Sequence, residues 1–100
     1  MHIKKGQRLY VRIDYRIDGK EFTRQDMQDH LTYVKNVAGE RYFIGGGFSN
    51  KDGGMCLFEA ESFEDAQKVP QSDPIIERGI YRYELYEWDL VVLLDNITGE

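Results

Sequence analysis

Residues 71–88, "QSDPIIERGIYRYELYEW", contain both a helix start and a strand, and they decide how the chain folds. Asp73 before Pro74 is a strong helix start signal, with the aspartate as N-cap and the proline at the first helical position. Gly79 ends that short helix. Residues 80–88 then alternate as a strand, with two different apolar sets on its faces: Tyr81, Tyr83 and Leu85 on one, and Ile80, Tyr86 and Trp88 on the other.

The segments on the N-terminal side supply the remaining elements. "LYVRIDY" (9–15) alternates as a strand, expected over 8–16. Thr23 and Asp26 have capping-box spacing ahead of a helix over 24–38, which Gly39 is expected to end in a left-handed cap. Further elements are strands at 42–48 and 55–60 and a helix at 62–69, which Pro70 ends or kinks.

This order, β-α-β-β-α-β, predicts a ferredoxin-like α+β fold, an antiparallel sheet with two helices on one face. We expect a single domain over residues 1–100, with its core at about 8–94. Helices on one side leave the second sheet face uncovered, although it also carries large apolar side chains. The natural cover is a second copy of the sheet, so the pattern predicts a homodimer or a higher homo-oligomer. "LVVLL" (90–94) is expected to extend the last strand or to reach along the partner.

Composition narrows the classes of partner. The formal net charge is −5 and the longest basic run is Lys4–Lys5, so nucleic acid and anionic membranes are poor partners. An RNA-recognition module shares the element order, but its base-stacking positions hold Met55 and Leu57 here. A single cysteine, Cys56, forms no intramolecular disulfide and no zinc-ligand spacing. We expect a cytoplasmic protein with no signal peptide, membrane span, metal or cofactor.

Two side chains are candidates for proton chemistry, and each has a structural alternative. His30 lies at the flank of the apolar stripe of the first helix, where a histidine is more often only bonded to a nearby carbonyl. Asp73 is explained by helix capping alone, but a carboxylate has further acceptor sites that could orient an imidazole. The sequence does not show that the two residues meet.

Glycines and tyrosines are the candidates for shaping a pocket. "GGGF" (45–48) lacks the Lys-Ser or Lys-Thr of a phosphate loop, so its glycines indicate close backbone approach or room for a ligand. Most of the tyrosines are expected to pack in the core or an interface. The candidate ligand-binding residues are Tyr33, Gly45, Gly46, Gly47 and Tyr83.

Three stretches together resemble the YCII-related family: "DHLTYVKN", "GGMCLFEAESFEDAQKV" and "QSDPIIERGIYRYELYEW", within residues 8–90. The resemblance implies a dimeric α+β barrel, sheet against sheet. It also implies a site made of a histidine on the first helix and the aspartate of the Asp-Pro step, which here are His30 and Asp73. Pro70 departs from the family pattern and is expected to shorten the helix ahead of Asp73.

Activities related to this family and its superfamily are dehydrochlorination of a chlorinated hydroxyquinol and isomerisation of muconolactone. The resemblance therefore implies an isomerase or lyase that acts on a small carbonyl or aromatic-derived compound, with His30 as base and Asp73 as its orienting partner. The main alternative is a non-catalytic ligand-binding or accessory homodimer that uses the same cleft. A third is a haem protein with His30 as axial ligand, because some relatives of the barrel bind haem.

Overall fold

A computed structural model describes residues 7–92. The elements are β1 (Arg8–Arg16), α1 (Arg24–Ala38), β2 (Phe43–Gly47), β3 (Gly54–Phe58), α2 (Phe63–Gln71), α3 (Pro74–Glu77) and β4 (Tyr81–Asp89). The four strands form one antiparallel sheet in the order β2-β3-β1-β4. The ferredoxin-like α+β prediction is confirmed, and the predicted strand ends lie within two residues of those observed.

Local capping explains where the helices begin. Thr23 and Asp26 form the complete capping box of α1, each side chain bonding the other residue's backbone N–H. Gly79, which follows α3, has a φ of +71°, a conformation that suits glycine. The left-handed cap expected at Gly39 is wrong, because its φ is −79°. The chain instead leaves α1 through a turn in which the N–H groups of residues 40 and 41 both bond to the Val37 carbonyl.

Pro70 does not end α2, and this corrects the expectation that the helix stops at residue 69. The helix continues to Gln71, with Pro70 buried in its last turn. A proline in a helix loses its own N–H bond and crowds the preceding turn, but α2 continues for only one residue beyond Pro70. The Pro70 carbonyl then accepts the N–H of Asp73 at 3.1 Å, so the residue expected to disturb Asp73 instead anchors its backbone.

The core lies between the two helices and one face of the sheet. Phe58 is fully buried and pairs across the sheet with Tyr10 on one side and Phe43 on the other. Val37 of α1 and Ala66 and Val69 of α2 pack on this layer. Because side chains alternate along a strand, the same face also carries Arg12, Asp14 and Leu85. Arg12 and Asp14 thus lie beneath the helices.

The opposite face, which we call the open face, carries the other apolar set of the strands. Ile44, Met55, Tyr86 and Trp88 each expose between 41% and 56% of their surface. Val11, Met55, Leu57, Tyr86 and Trp88 line one shallow groove there. After β4, the N–H of Leu90 bonds to the Gln7 carbonyl at 3.0 Å, which continues the pairing with the β1 end. The rest of the predicted 90–94 segment, from residue 93, lies outside the described residues.

Two neighbouring glycines of β2 differ in how much a side chain would cost. A Cβ atom at Gly45 would lie 2.5 Å from the Cβ of Cys56, whereas one at Gly46 would meet nothing within 4 Å. We expect Gly45→Ala to lower the free energy of unfolding by about 1–3 kcal/mol, the usual cost of overpacking. Gly46→Ala is the matched control and should change it much less. Urea denaturation of both variants measures the difference, and equal effects would contradict the close approach.

Candidate functional site

A chain of four polar side chains lies under the helices and begins at Asp73. This carboxylate is 0% exposed and caps α3, its Oδ1 accepting the Ile75 N–H at 3.1 Å. His30 Nδ1 lies 2.8 Å from Oδ2 and 3.0 Å from Oδ1 of the same group. Arg12 Nη2 lies 3.0 Å from Oδ2, and Arg12 Nε donates to Asp14 Oδ1 at 2.8 Å. The structure therefore brings His30 and Asp73 together and adds Arg12 and Asp14.

Three elements position these groups. His30 is on α1, Arg12 and Asp14 are on β1, and Asp73 is held by the turn between α2 and α3. Arg78, which ends α3, forms ion pairs back to α1, at 2.7 Å to Asp26 and 2.8 Å to Asp29. Surface pairs of this kind add little stability. Their position, however, links the first turns of α1, next to His30, to the end of α3.

The charge state of Asp73 sets the tautomer of His30. Burial by itself would raise the pKa of Asp73, but the hydrogen bond from His30 and the positive charge of Arg12 outweigh it, so that the pKa is lowered. An ionised carboxylate only accepts hydrogen bonds, so His30 Nδ1 carries the proton it shares with Asp73. Nε2 is then the ring nitrogen left for chemistry, on a side chain that is 20% exposed.

Arg12 is the residue that sequence reasoning missed. Its side chain is 1% exposed, and although burial lowers the pKa of an arginine, the charges of Asp14 and Asp73 reverse this and raise it. Nη2 lies beside Asp73 but is not aligned for a hydrogen bond with any described residue. The available signal was the alternation of Arg12 and Asp14 with apolar residues in β1. That pattern reads as a solvated face, whereas here the polar face is the buried one.

A cavity of about 270 Å³ opens beside these groups. His30, Arg12 and Asp14 form the polar wall of the cavity, and Gly45, Gly46 and Gly47 form another part of it. The rest of the lining is largely apolar, with side chains from Met27, Leu31, Val34, Phe43 and Ile75. A pocket with an apolar body and few convergent polar groups is the usual form of a small-molecule site.

The two candidate tyrosines lie elsewhere. Tyr33 packs against the core, and its hydroxyl donates to the Val69 carbonyl at 2.7 Å, so its polar end is used to hold α1 against α2. Tyr83 shares a face of β4 with Tyr81, but Tyr81 is the one that lines the cavity. Cys56 also borders the cavity, and burial raises the pKa of its thiol to about 12, which leaves it unreactive near neutrality.

The lowered pKa of Asp73 predicts how stability changes with acid. A carboxyl group whose folded pKa lies below its ordinary 3.8 stabilises the fold above that pH, and the contribution is lost as the pH falls through the folded value. We expect the stability difference between wild type and Asp73→Asn to be constant near neutrality and to shrink below pH 3.8. Urea denaturation across this range measures it. A difference that grew on acidification would contradict the assignment.

Within residues 7–92, no three His, Cys, Asp or Glu side chains are grouped as metal ligands would be. None of the helices in this range has both the length and the apolar character needed to cross a membrane.

Comparisons with known proteins agree with this architecture. The chain is similar to the uncharacterised protein YjpA of Bacillus subtilis (strain 168), at 25% identity over 83 residues, which are 82% of this chain and 98% of that protein. Its fold is similar to that of TftG, the 5-chloro-2-hydroxyhydroquinone dehydrochlorinase of Burkholderia phenoliruptrix AC1100, solved with 2,5-dihydroxybenzoquinone. The TM-score is 0.66 at 20% identity, over 81% of this chain and 93% of that one.

The sequence profile of the YCII-related domain matches residues 8–89, which is most of the chain. That range contains every strand and helix of the described residues and every member of the His30–Asp73–Arg12–Asp14 group. This protein therefore belongs to the YCII-related domain family.

Proposed function

We propose that this protein is an acid–base enzyme, an isomerase or a dehydrochlorinase-like lyase, that acts on a small ring compound bearing hydroxyl or carbonyl groups. The observation that carries the proposal is the hydrogen bond between His30 Nδ1 and the buried, ionised Asp73, which leaves Nε2 as the ring nitrogen for proton transfer. A histidine fixed in one tautomer beside a small cavity is the arrangement that general base catalysis requires.

The chemistry follows from the two partners of the imidazole, which are Asp73 at Nδ1 and the bound ring at Nε2. Nε2 removes a proton from a hydroxyl group or an activated carbon of the bound ring, and the electron pair moves into the ring. The proton can then return at another atom, which is isomerisation, or a leaving group departs with its electrons, which is elimination. Asp73 stabilises the imidazolium formed in this step without itself taking the proton. Its contact with Arg12 and the Ile75 N–H keeps it in place.

Cavity size and the structural neighbour support the substrate class. An apolar cavity of about 150 Å³ holds benzene, so about 270 Å³ accommodates one ring with several polar substituents. TftG, which has a similar fold, is named as a dehydrochlorinase and was solved with a dihydroxylated quinone. A ring with hydroxyl groups at its edge would place them toward His30, Arg12 and Asp14, and its flat faces against the apolar lining.

The proposal is tested by supplying 5-chloro-2-hydroxyhydroquinone and 2,5-dihydroxybenzoquinone to the purified wild-type protein. We expect release of chloride from the first compound, measured with a chloride electrode, and binding of the second, measured by titration calorimetry. Binding of the quinone with no turnover would favour the ligand-binding or accessory alternative. The absence of both binding and turnover would refute the proposed substrate class.

We also propose that two copies of the chain pair through the open face as a homodimer. The cytoplasmic location stays a prediction. The support is the set of half-exposed side chains on that face, including Met55, Tyr86 and Trp88. A two-fold contact uses one apolar patch twice, so one arrangement would cover both copies. Removing such a patch from water is favourable by about 25 cal/mol per Å².

Trp88→Asp tests the homodimer. A charge within an apolar interface should dissociate the pair, and sedimentation equilibrium should then give the 11.7 kDa mass of one chain for a variant that remains folded. Leu85→Asp is the comparison on the opposite face of β4, because Leu85 packs against the helix-covered core and its replacement should unfold the protomer instead. A folded wild type that sediments as a single chain would refute the dimer.

A further inference from the structure

Proton transfer on a ring needs a group that takes a proton and, in most such reactions, one that gives a proton back. His30 accounts for the first. Four other ionisable side chains line the same cavity: Arg12, Asp14, Cys56 and Tyr81. An arginine guanidinium keeps its proton at every relevant pH, and burial raises the pKa of both Cys56 and Tyr81. Burial holds the protons of Cys56 and Tyr81 more tightly, so Asp14 is the cavity group best suited to lose a proton and regain it in each turnover.

The placement of Asp14 fits a group that works on a ligand. It follows Arg12 by two residues on β1, so both side chains point to the same face of the sheet. Oδ1 accepts from Arg12 Nε at 2.8 Å, and Oδ2 accepts no hydrogen bond from the described residues. The side chain is 12% exposed, so it is largely withdrawn from solvent while it borders the cavity.

Asp14 and Asp73 contact one guanidinium yet have opposite electrostatic environments. Burial raises the pKa of Asp14, and the lowering effect of Arg12 is too small to reverse it. The pKa of Asp73 is lowered, because His30 adds a hydrogen bond there. A pair of carboxyl groups pushed apart in this way is the usual arrangement for one group that stays ionised and another that acts as an acid.

We propose that Asp14 is a second catalytic residue, the carboxylic acid that donates a proton to the ring from which His30 has removed one. This proposal rests on the function proposed above. It narrows the substrate class to rings that can tautomerise between a ring hydroxyl and a ring carbonyl.

The step balances without a cofactor. His30 Nε2 takes the proton of a ring hydroxyl, so that O–H bond breaks and the oxygen becomes a carbonyl. The electron pair that moves through the ring forms a C–H bond with the proton of Asp14, whose O–H bond breaks. The product is the keto tautomer, with Asp14 left as a carboxylate and His30 as an imidazolium. Transfer of a proton from the imidazolium to Asp14 through water restores both groups.

Arg12 lies between Asp14 and Asp73, so its charge affects both the protonated and the ionised form of Asp14. As a carboxylate, Asp14 is stabilised by the Arg12 charge, while Asp73 on the other side of that guanidinium remains ionised and opposes a second negative charge nearby. A charged imidazolium at His30 lowers the pKa of Asp14. Cys56 and Tyr81, which also line the cavity, add no charge when they are neutral. The protonation of Asp14 is thus linked to the state of the His30–Asp73 pair.

The test compares wild type, Asp14→Asn and Asp18→Asn in two assays. Asp18 is exposed in the turn that follows β1, so its variant is the matched control. In the turnover assay with 5-chloro-2-hydroxyhydroquinone, we expect Asp14→Asn to lower kcat about 10²–10⁴-fold with little change in KM. We also expect it to abolish the fall in kcat with rising pH that ionisation of Asp14 produces in wild type. Asp18→Asn should behave as wild type, and Asp14→Glu should recover part of the activity.

The second assay does not need turnover. Carboxyl carbon NMR of the wild-type protein should show the Asp14 resonance titrating above 3.8, the ordinary aspartate value, and shifting when 2,5-dihydroxybenzoquinone binds. Full kcat in Asp14→Asn, or an Asp14 resonance that the bound quinone leaves unchanged, would overturn the role of Asp14 and leave the function of His30 intact. Binding without turnover by wild type would overturn the proposed function and, with it, a catalytic role for Asp14.

Discussion

Replacing His30 by asparagine is expected to lower kcat about 10²–10⁴-fold, the range that one general base contributes. Asparagine reproduces the histidine side chain out to the position of Nδ1, so its amide can still donate to Asp73. It has no atom at the position of Nε2. The variant therefore removes the proton acceptor while the buried carboxylate keeps a partner, and the loss reports chemistry rather than damage to the fold.

The measurement is kcat for 5-chloro-2-hydroxyhydroquinone, together with binding of 2,5-dihydroxybenzoquinone to the same protein. Binding should survive, because most of the cavity lining is apolar and unchanged. Thr32→Ala is the matched control, since Thr32 is exposed two residues along α1 and therefore lies on the opposite side of the helix. Activity in His30→Asn equal to that of Thr32→Ala would remove histidine from the mechanism.

Asp73→Ala is expected to cause the largest loss of stability among single substitutions at the site. Breaking a buried ion pair by removing one partner costs about 3–5 kcal/mol, and loss of the N-cap of α3 adds about 1 kcal/mol. Small domains have about 5–15 kcal/mol in total, so the variant should be close to unfolding at 37 °C. Asp73→Asn should lose less, because asparagine caps a helix nearly as well as aspartate.

A double-mutant cycle with Arg12→Met separates the ion pair from the cap. Asp73→Ala leaves the positive charge of the buried Arg12 with one carboxylate partner fewer. If this causes most of the lost free energy of unfolding, the double variant should lose less than the sum of the two single variants. Free energies from urea denaturation give the coupling. Strict additivity would show that Arg12 and Asp73 do not stabilise each other, in spite of their 3.0 Å separation.

Local signals near Asp73 and Thr23 could be read directly from the sequence because capping depends on neighbours within three residues. Both N-caps are observed as expected. The end of α1 at residue 38 is as expected, but the conformation of Gly39 and the end of α2 at Pro70 differ from expectation. At both ends, the turn that follows the helix supplies hydrogen bonds that the usual signals do not anticipate.

Local sequence patterns alone do not predict which residues line the cavity. Gly45, Gly46 and Gly47 were expected to leave room for a ligand, and they line the cavity. Tyr33 was expected there also, but its hydroxyl is bonded to the Val69 carbonyl. Which way a tyrosine hydroxyl points depends on acceptors from another element, and these become visible only once α1 and α2 are packed together.

The sequence by itself determined the order of strands and helices, the N-caps at Thr23 and Asp73, and the presence of apolar side chains on both faces of the sheet. Only the tertiary structure decided which face of β1 the helices cover, and that choice buried Arg12 and Asp14 beside Asp73. The physical reason is that alternation records two faces without recording their neighbours. A buried arginine is tolerated only where carboxylates from its own strand and from the α2–α3 turn compensate its charge, and that meeting of residues 12, 14 and 73 exists only in the folded chain.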